Sequence, residues 1–226
     1  MQHLKLVIFD LDGTLLNTLS DLAHSVNYAL GKCGFPVHTI ESYKNFVGDG
    51  INKLLERTLP ENHKTAQNIA RLKALFLAYY DVHNTDFTEP YEGICELLKT
   101  LQAKGLKLAV ASNKYQAATE KLIRRFFPGI SFTALFGQRE GIPVKPNPAI
   151  VYDILRIAGV SPEETIYIGD SGVDMETASN SGVASIGVTW GFRPREELEV
   201  SGAKYIAETP DGIFQLLTIN HYKYDI

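Results

Sequence analysis

A short apolar run near the start of the chain, followed at once by two aspartates, constrains the fold most strongly. The run spans Leu6–Phe9 and is followed by Asp10, Asp12 and Gly13. Its length and its polar flanks predict a buried strand. In an open α/β sheet, ligands bind just beyond the carboxyl ends of the strands, and strand alternation places Asp10 and Asp12 on one side of the chain. Taken alone, Asp-x-Asp-Gly is more typical of a turn in which aspartates cap the backbone.

Strands alternate with helices in the second part of the chain. Further strands are predicted at residues 106–111, 165–168, 183–188 and 205–206, with an ambiguous segment at 130–136. Strands that alternate with helices indicate a parallel sheet covered on both faces. We therefore predict an α/β fold with a Rossmann-like parallel sheet core and helices on both faces.

The segment between the first strand and residue 86 has a different pattern. Apolar residues recur there at helical spacing and no strand is evident, which predicts an all-helical insertion. Thr18 and Asp21 have the spacing of a capping box at the start of its first helix. We predict a catalytic core of residues 1–16 and 87–226 and a helical cap of residues 17–86.

Composition limits the partners of the chain. With 22 basic and 26 acidic residues among 226, the net charge of −4 gives no excess of positive charge for nucleic-acid or membrane binding. The apolar stretches are too short to cross a bilayer, and the start of the chain lacks a signal-peptide pattern. Cys33 and Cys95 lie far apart, outside any metal-binding spacing. We expect a cytoplasmic monomer or homodimer with thiols that are reduced.

Further polar residues follow the predicted strands or lie in loops at the same edge of the sheet. They are Ser112 with Asn113, Lys145, Asp170 and Asp174. Singly, each has an ordinary alternative, such as a loop hydroxyl, a solvated lysine or a helix N-cap. Together they favour a site at this edge.

Such a set of residues suits phosphoryl transfer. Carboxylate oxygens are typical Mg²⁺ ligands, and bound Mg²⁺ commonly bridges to a substrate phosphate. One carboxylate could attack phosphorus, while a neighbouring one protonates the leaving oxygen and then deprotonates water. Ser112 and Lys145 would stabilise the transferring group.

The order of these residues resembles the four motifs of the haloacid dehalogenase superfamily. The motifs are Asp10-Leu11-Asp12-Gly13-Thr14, Ser112, Lys145-Pro146 and Gly169-Asp170-Ser171-Gly172-Val173-Asp174. The resemblance implies that Asp10 is the nucleophile and Asp12 the general acid/base. It also implies a Mg²⁺ site formed by Asp10, Asp12 (through its backbone carbonyl), Asp170 and Asp174, and a phosphate site formed by Ser112, Asn113 and Lys145. The second aspartate favours phosphoryl transfer over carbon–halogen cleavage.

Within the superfamily the sequence is most similar to the phosphoglycolate phosphatases. The similarity rests on Ser112-Asn113-Lys114, Lys145-Pro146-Asn147-Pro148 and a cap stretch that contains Gly48, Asp49 and Gly50, followed by Arg57. We expect these four cap residues to contact the substrate, although a helix-entry turn is an equally ordinary interpretation of the glycines and an arginine on a helix is more often a surface residue. Asn17-Thr18 departs from the acidic residue and serine that these phosphatases commonly carry.

The resemblance implies a Mg²⁺-dependent phosphatase for a small phosphorylated metabolite. The expected reaction is hydrolysis of 2-phosphoglycolate to glycolate and phosphate through an aspartyl-phosphate. The alternatives are a mutase of the β-phosphoglucomutase type, a pyrophosphatase or a nucleotidase. A phospho-accepting signalling domain uses similar residues, but such domains are normally shorter and have no helical insertion after the first strand.

Overall fold

A computed structural model describes residues 4–219 of the chain. The strands are β1 (Leu6–Phe9), β2 (Leu16–Asn17), β3 (Glu89–Pro90), β4 (Lys107–Tyr115), β5 (Phe132–Gln138), β6 (Thr165–Gly169), β7 (Ala184–Val188) and β8 (Tyr205–Ala207). The helices are α1 (Leu19–Cys33), α2 (Tyr43–Phe46), α3 (Ile51–Thr58), α4 (Ala66–His83), α5 (Ile94–Ala103), α6 (Gln116–Phe126), α7 (Ala149–Ala158), α8 (Gly172–Asn180), α9 (Arg195–Val200) and α10 (Pro210–Ile219). Within residues 4–219, none of these helices has the length and apolar character needed to cross a bilayer.

Six of the strands form one parallel sheet in the order β5-β4-β1-β6-β7-β8. The chain builds the sheet outward from β1 to β5 and then returns to place β6 on the other side of β1. The strand order therefore reverses between β1 and β6, which is where doubly wound sheets bind their ligands. This sheet and its helices confirm the predicted α/β fold.

The sheet is buried on both faces, which explains why the first strand is apolar throughout. Val7 and Phe9 pack into a cluster with residues of α5, α6 and α10. Leu6 and Ile8 point the other way and pack with residues of α7 and α8. Because successive side chains of a strand point to opposite faces, a central strand between two helical layers needs an apolar residue at every position.

The helical cap packs around a second hydrophobic cluster, to which Ala118 and Phe192 of the core also contribute. Helices α1 to α4 lie between β2 and β3, which pair antiparallel at the base of the insertion. The largest buried side chains of the cap are Tyr43, Tyr80, Phe76, Leu30 and Leu55. The helical character of this segment agrees with its apolar periodicity, whereas the boundaries of the two predicted domains stay a prediction.

Strand β4 extends further than its apolar residues indicate. Its predicted end at residue 111 is wrong, because the strand continues to Tyr115 beside β5, whose segment the sequence leaves ambiguous. The pairing with β5 shifts register between Ala111 and Tyr115. Such irregularities re-aim side chains and are frequent beside active sites.

The predicted capping box at the start of α1 is wrong. Thr18 is the N-cap residue, but its hydroxyl donates to a carboxylate oxygen of Asp12 at 2.6 Å. The buried Asp21 carboxylate accepts hydrogen bonds from the backbone N–H groups of Phe87 and Thr88 and from the Thr88 hydroxyl, at 2.7 to 3.2 Å. Distant donors therefore replace the local capping partners, and the hydrogen bonds of Asp21 join α1 to the segment at Phe87 and Thr88.

Replacing Asp21 should destabilise the protein. Asp21→Ala leaves three donors without an acceptor, of which the two on Thr88 are buried, and the loss of a buried partner costs roughly 1–3 kcal/mol when uncompensated. We expect the free energy of unfolding to fall by about 2–4 kcal/mol in urea denaturation. Asp86→Ala, at an exposed position nearby, is the control and should change this free energy much less. Equal effects of the two substitutions would contradict the anchoring role of Asp21.

Candidate active site

The predicted site residues converge at the carboxyl ends of three adjacent strands. Asp10 follows β1, Ser112 lies near the end of β4, and Asp170 follows β6. The backbone N–H of Asp10 donates to Ile168 at 2.9 Å, so the pairing of β1 with β6 continues to the first catalytic candidate. The reversal of strand order between β1 and β6 opens the crevice in which these side chains meet.

Three of the predicted metal-binding carboxylates form a buried cluster. Asp10, Asp170 and Asp174 each offer one oxygen, and these oxygens lie within 4.8 Å of one another. Their exposed fractions are 7%, 2% and 1%. Carboxylates that are this close and this buried repel each other unless a positive charge or a proton lies among them.

Helix α8 and its N-terminal loop orient Asp174. Ser171 is the N-cap residue, and its backbone N–H and hydroxyl donate to one oxygen of Asp174 at 3.1 and 2.6 Å. The carboxylate thus completes a capping box at the third helical position. Its other oxygen is left for Lys145, at 2.7 Å. Asp174 therefore serves the helix and the site together.

Glycines allow the backbone to enclose Asp170. The Thr14 hydroxyl and the Phe192 N–H donate to its two oxygens at 3.2 and 2.7 Å. Gly13 has φ +88°, and a Cβ there would lie 2.2 Å from an oxygen of Asp170. A Cβ at Gly191 would lie 2.2 Å from the Cβ of the same residue. Side chains at either position would displace the carboxylate.

Lys145 holds a positive charge inside the cluster. Its Nζ contacts Asp10 at 2.9 Å, Asp174 at 2.7 Å and the hydroxyl of Tyr167 at 3.0 Å. Burial by itself would lower the pKa of Lys145, but the two carboxylates raise it well above its usual value. The Lys145 side chain therefore stays protonated, although the residue is only 3% exposed.

One lysine does not neutralise three carboxylates. Burial, together with the nearby Asp174, raises the pKa of Asp10 to about 7, although Lys145 opposes the shift. Burial, Asp174 and Asp10 raise the pKa of Asp170 well above its usual value. A hard divalent cation would relieve this repulsion, and oxygen ligands alone are the donor set that Mg²⁺ prefers. The residues of the cluster therefore fit Mg²⁺.

The carboxylate of Asp12 faces a different partner. Both of its oxygens accept from Nζ of Lys114 at 3.0 Å, and Thr18 donates to one of them. The Asp12 side chain is 13% exposed, whereas that of Lys114 is only 3% exposed. The role of Lys114 cannot be predicted from the sequence, because nothing local distinguishes this buried lysine from a solvated one.

The residues predicted to bind phosphate lie beside the cluster. Ser112 accepts from the backbone N–H of Lys114 at 3.2 Å. The Asn113 side chain exchanges two hydrogen bonds with the backbone of Lys145 and donates to the Gly48 carbonyl at 3.0 Å. Asn113 thus positions the lysine loop against the cap, while the roles of all three residues in phosphate binding stay predictions.

The cap residues expected at the substrate are divided between two places. Gly48 and Gly50 line the cavity above the carboxylates. Asp49 and Arg57 instead pair with each other, and Arg57 also donates to the Phe46 carbonyl at 3.0 Å. Arg57 therefore stabilises the cap loop in this structure, and its role in substrate binding stays a prediction.

The core and the cap together line a partly open cavity with roughly 60 Å³ of water-accessible space. One water needs about 10–15 Å³ of such space, so the cavity has room for several waters or for a group of similar size. The lining also includes residues that were not predicted as site residues: Leu22, Ile51, Leu54, Phe76, Tyr80, Tyr115, Phe192 and Arg193. All of them except Arg193 are apolar or aromatic, and such residues are as typical of a helix core as of a binding site. The single arginine is as typical of a surface loop, so no sequence signal marks these residues as part of a site.

Comparison with known proteins gives one consistent family. A family model described as haloacid dehalogenase-like hydrolase matches residues 7–188. The phosphoglycolate phosphatase of Haemophilus influenzae (strain 86-028NP) is 32% identical over 221 residues, which cover 95% of this chain and 97% of that protein. The phosphoglycolate phosphatase of Pseudomonas syringae pv. tomato is 33% identical over 193 residues, covering 83% of this chain and 70% of that protein.

The fold also matches solved structures. The crystal structure of a predicted phosphoglycolate phosphatase from Haemophilus somnus 129PT has a TM-score of 0.89 and 29% sequence identity. The match covers 96% of this chain and 100% of that one. The similarity thus includes the helical cap as well as the parallel sheet.

Proposed function

The chain belongs to the haloacid dehalogenase-like hydrolases and is a phosphatase, and we propose that it hydrolyses 2-phosphoglycolate through an aspartyl-phosphate on Asp10. The observation that best supports this mechanism is that two aspartates of one loop have different surroundings. Asp10 lies among the buried carboxylates with Lys145, while Asp12, two residues later, lies against Lys114 and Thr18. Both aspartates line the same cavity. Two carboxylates with different surroundings suit two different roles.

In the first step, an oxygen of Asp10 attacks phosphorus as the bond to the leaving oxygen breaks. Lys145, already within 2.9 Å of Asp10, offsets the negative charge around this oxygen. Asp12 in its acid form gives a proton to the leaving oxygen, so glycolate departs as an alcohol. The products of this step are glycolate and a phosphoryl group bound to the Asp10 carboxylate as an acyl phosphate.

In the second step, Asp12 acts as a base. It removes a proton from water, the resulting hydroxide attacks phosphorus, and the bond between phosphorus and Asp10 breaks. Asp10 is thereby regenerated as a carboxylate and phosphate leaves. Thr18 and Lys114 hold the Asp12 side chain at the place that both proton transfers require.

Asp10, Asp170 and Asp174 are the residues that would hold Mg²⁺. When bound, the ion would supply positive charge that neutralises the phosphoryl oxygens and the carboxylates around them. Thr14, Phe192 and Ser171 keep the carboxylates in place for it.

The substrate assignment is supported by the names of the relatives. Two relatives that match most of this chain are phosphoglycolate phosphatases. The partner of this protein is thus a small phosphorylated metabolite, and a monomeric or homodimeric state stays a prediction.

Phosphate release from a panel of phosphate compounds tests this proposal. We expect 2-phosphoglycolate to give the highest kcat/KM among 2-phosphoglycolate, pyrophosphate, hexose phosphates and nucleoside monophosphates. Chelation of divalent ions should lower the rate at least about 100-fold, because buried carboxylates without a cation repel the phosphate dianion. Added Mg²⁺ should restore the rate. A rate that chelation leaves unchanged would contradict the metal site.

The same panel separates the alternatives. The protein could instead prefer pyrophosphate, nucleotides, or a hexose phosphate to which it returns the phosphoryl group. Each of these results would contradict 2-phosphoglycolate as the substrate and would still support phosphoryl-transfer chemistry. Membership of the hydrolase family already argues against a signalling domain. A stable phosphoprotein that forms without turnover would instead favour the signalling domain.

A further inference from the structure

Two polar atoms at the cavity have no partner within the protein. Among residues 4–219, the Tyr80 hydroxyl and Nη1 of Arg193 are buried side-chain atoms without a hydrogen bond, and both residues line the cavity. Buried polar groups in native proteins are nearly always paired, so unpaired ones need an explanation. A ligand that enters the cavity would supply the missing acceptors.

The Tyr80 ring is fixed in place without help from its hydroxyl. It is fully buried on α4 and stacks on Phe76 with ring centroids 5.0 Å apart. Nζ of Lys114, the partner of Asp12, lies 4.9 Å from the centre of the ring. Burial and the nearby Asp12 raise the pKa of Tyr80 well above its usual value, so the hydroxyl keeps its proton and donates. A phenylalanine would make the same ring contacts, and the hydroxyl serves no contact in the protein itself.

Arg193 is also fixed, with one donor left over. It follows Phe192, whose N–H binds Asp170, and its Nη2 donates to the Val47 carbonyl of the cap at 2.7 Å. Its Nε lies 3.4 Å from Glu197. The guanidinium therefore bridges core and cap beside the cavity that Arg193 lines, and Nη1 is a buried, positively charged donor without a partner.

We propose that the Tyr80 hydroxyl and the Arg193 guanidinium are the groups that recognise the substrate, by binding an anionic carboxylate on the leaving group of the phosphomonoester. Two donors, one of them cationic, need an anionic acceptor more than a neutral one. Tyr80 stands near Asp12, the residue that meets the leaving oxygen in the proposed mechanism, so the leaving group is the part of the substrate that reaches it. This assignment rests on the proposed phosphatase function and names the substrate class of the same site.

The test compares two substrates that differ at this group. 2-Phosphoglycolate carries a carboxylate, and 2-hydroxyethyl phosphate carries a neutral alcohol on the same two-carbon chain. We expect Tyr80→Phe and Arg193→Gln each to lower kcat/KM for 2-phosphoglycolate roughly 10- to 100-fold, mostly through KM, because each loses a hydrogen bond to a charged group. With Tyr80→Phe, the rate with 2-hydroxyethyl phosphate should change less than about threefold. Arg193→Gln also loses the hydrogen bond to the Val47 carbonyl, so we expect it to slow both substrates and to slow 2-phosphoglycolate at least about tenfold more.

Matched controls are available beside each residue. Tyr79→Phe removes a hydroxyl from the next position of α4, whose ring stacks on Tyr28 away from the site. Arg195→Gln removes an exposed arginine that pairs with Glu199 and Glu208. Both controls should keep the preference of the wild type for the carboxylated substrate.

Thermal unfolding gives a readout that does not depend on activity. Because the Tyr80 hydroxyl has no protein partner, Tyr80→Phe should leave the Tm of the free protein unchanged or raise it. A Tm that falls by several degrees would show a structural role for the hydroxyl and overturn the proposal.

The remaining outcomes separate the inference from the function it rests on. One such outcome is that the wild type hydrolyses phosphomonoesters while the variants lower kcat/KM equally for both substrates or for neither. That result would overturn the recognition role of Tyr80 and Arg193 and would leave the phosphatase function standing. A wild type that hydrolyses none of them would overturn both.

Discussion

Asp10→Asn is expected to lower phosphate release at least about 10⁴-fold, because an amide oxygen cannot serve as the nucleophile and no phosphoryl-enzyme can form. The Asp10 carboxylate is the member of the pair that lies with Lys145, Asp170 and Asp174. Asparagine has nearly the same shape and can still accept from Lys145. Phosphate release and trapping of an acid-stable phosphoprotein would measure the two consequences.

The fold of this variant should survive the change. The carboxylate is buried among like charges, and its pKa is already raised to about 7, so it adds little stability near neutral pH. We expect the free energy of unfolding to change by less than about 2 kcal/mol. Asp211→Asn, at an exposed carboxylate on α10, is the control and should keep full activity. More than 1% of wild-type turnover in the Asp10 variant would rule out Asp10 as the nucleophile.

Asp12→Asn is expected to lower turnover roughly 10²–10⁴-fold, the usual contribution of a general acid/base. Its effect should depend on the leaving group. An alkyl phosphate such as 2-phosphoglycolate needs a proton on its leaving oxygen, whereas p-nitrophenyl phosphate releases a stable anion. In this variant the first step should therefore slow strongly with 2-phosphoglycolate and much less with p-nitrophenyl phosphate.

The second step needs Asp12 as a base with either substrate. With p-nitrophenyl phosphate we expect a burst of about one nitrophenolate per enzyme, followed by slow turnover as the phosphoryl-enzyme accumulates. Rapid mixing measures the burst. Equal slowing of both substrates without a burst would contradict the acid/base role, and unchanged kinetics would remove Asp12 from the mechanism. The Asp211→Asn variant serves again as the control.

The sequence predicts the architecture well because the core strands and the cap helices are periodic over their own lengths. Leu6–Phe9 has to be buried on both faces, and its position before Asp10 places that carboxylate at the end of a strand. The helices of the cap follow their apolar stripes, as α1 does with Leu22, Val26, Ala29 and Leu30 all buried. The errors lie where local preference competes with distant partners. Thr18 and Asp21 have the spacing of a capping box, yet their side chains bind Asp12 and the segment at Thr88.

The candidate site likewise combines positions that the sequence predicts with contacts that it does not predict. Asp10, Asp170 and Asp174 follow or flank predicted strand ends, and a parallel sheet brings such ends together whatever the loops do. Asn113 was expected at the phosphate, but its side chain is engaged with the backbone of Lys145 and Gly48. No local pattern reports such a contact, because it joins residues 32 and 65 positions apart.

The parallel sheet, the helical insertion and the strand-end residues can be predicted from the sequence, because hydrophobic periodicity and strand-end position are local properties of the chain. The charges and hydroxyls around the cavity cannot be predicted in this way, because distant segments bring them together. Lys114 reaches Asp12 across 102 residues of sequence, and the unpaired donors of Tyr80 and Arg193 come from the cap and the core respectively. Burial and pairing of a polar side chain depend on what the rest of the fold places around it, and that environment is assembled only when the cap meets the core.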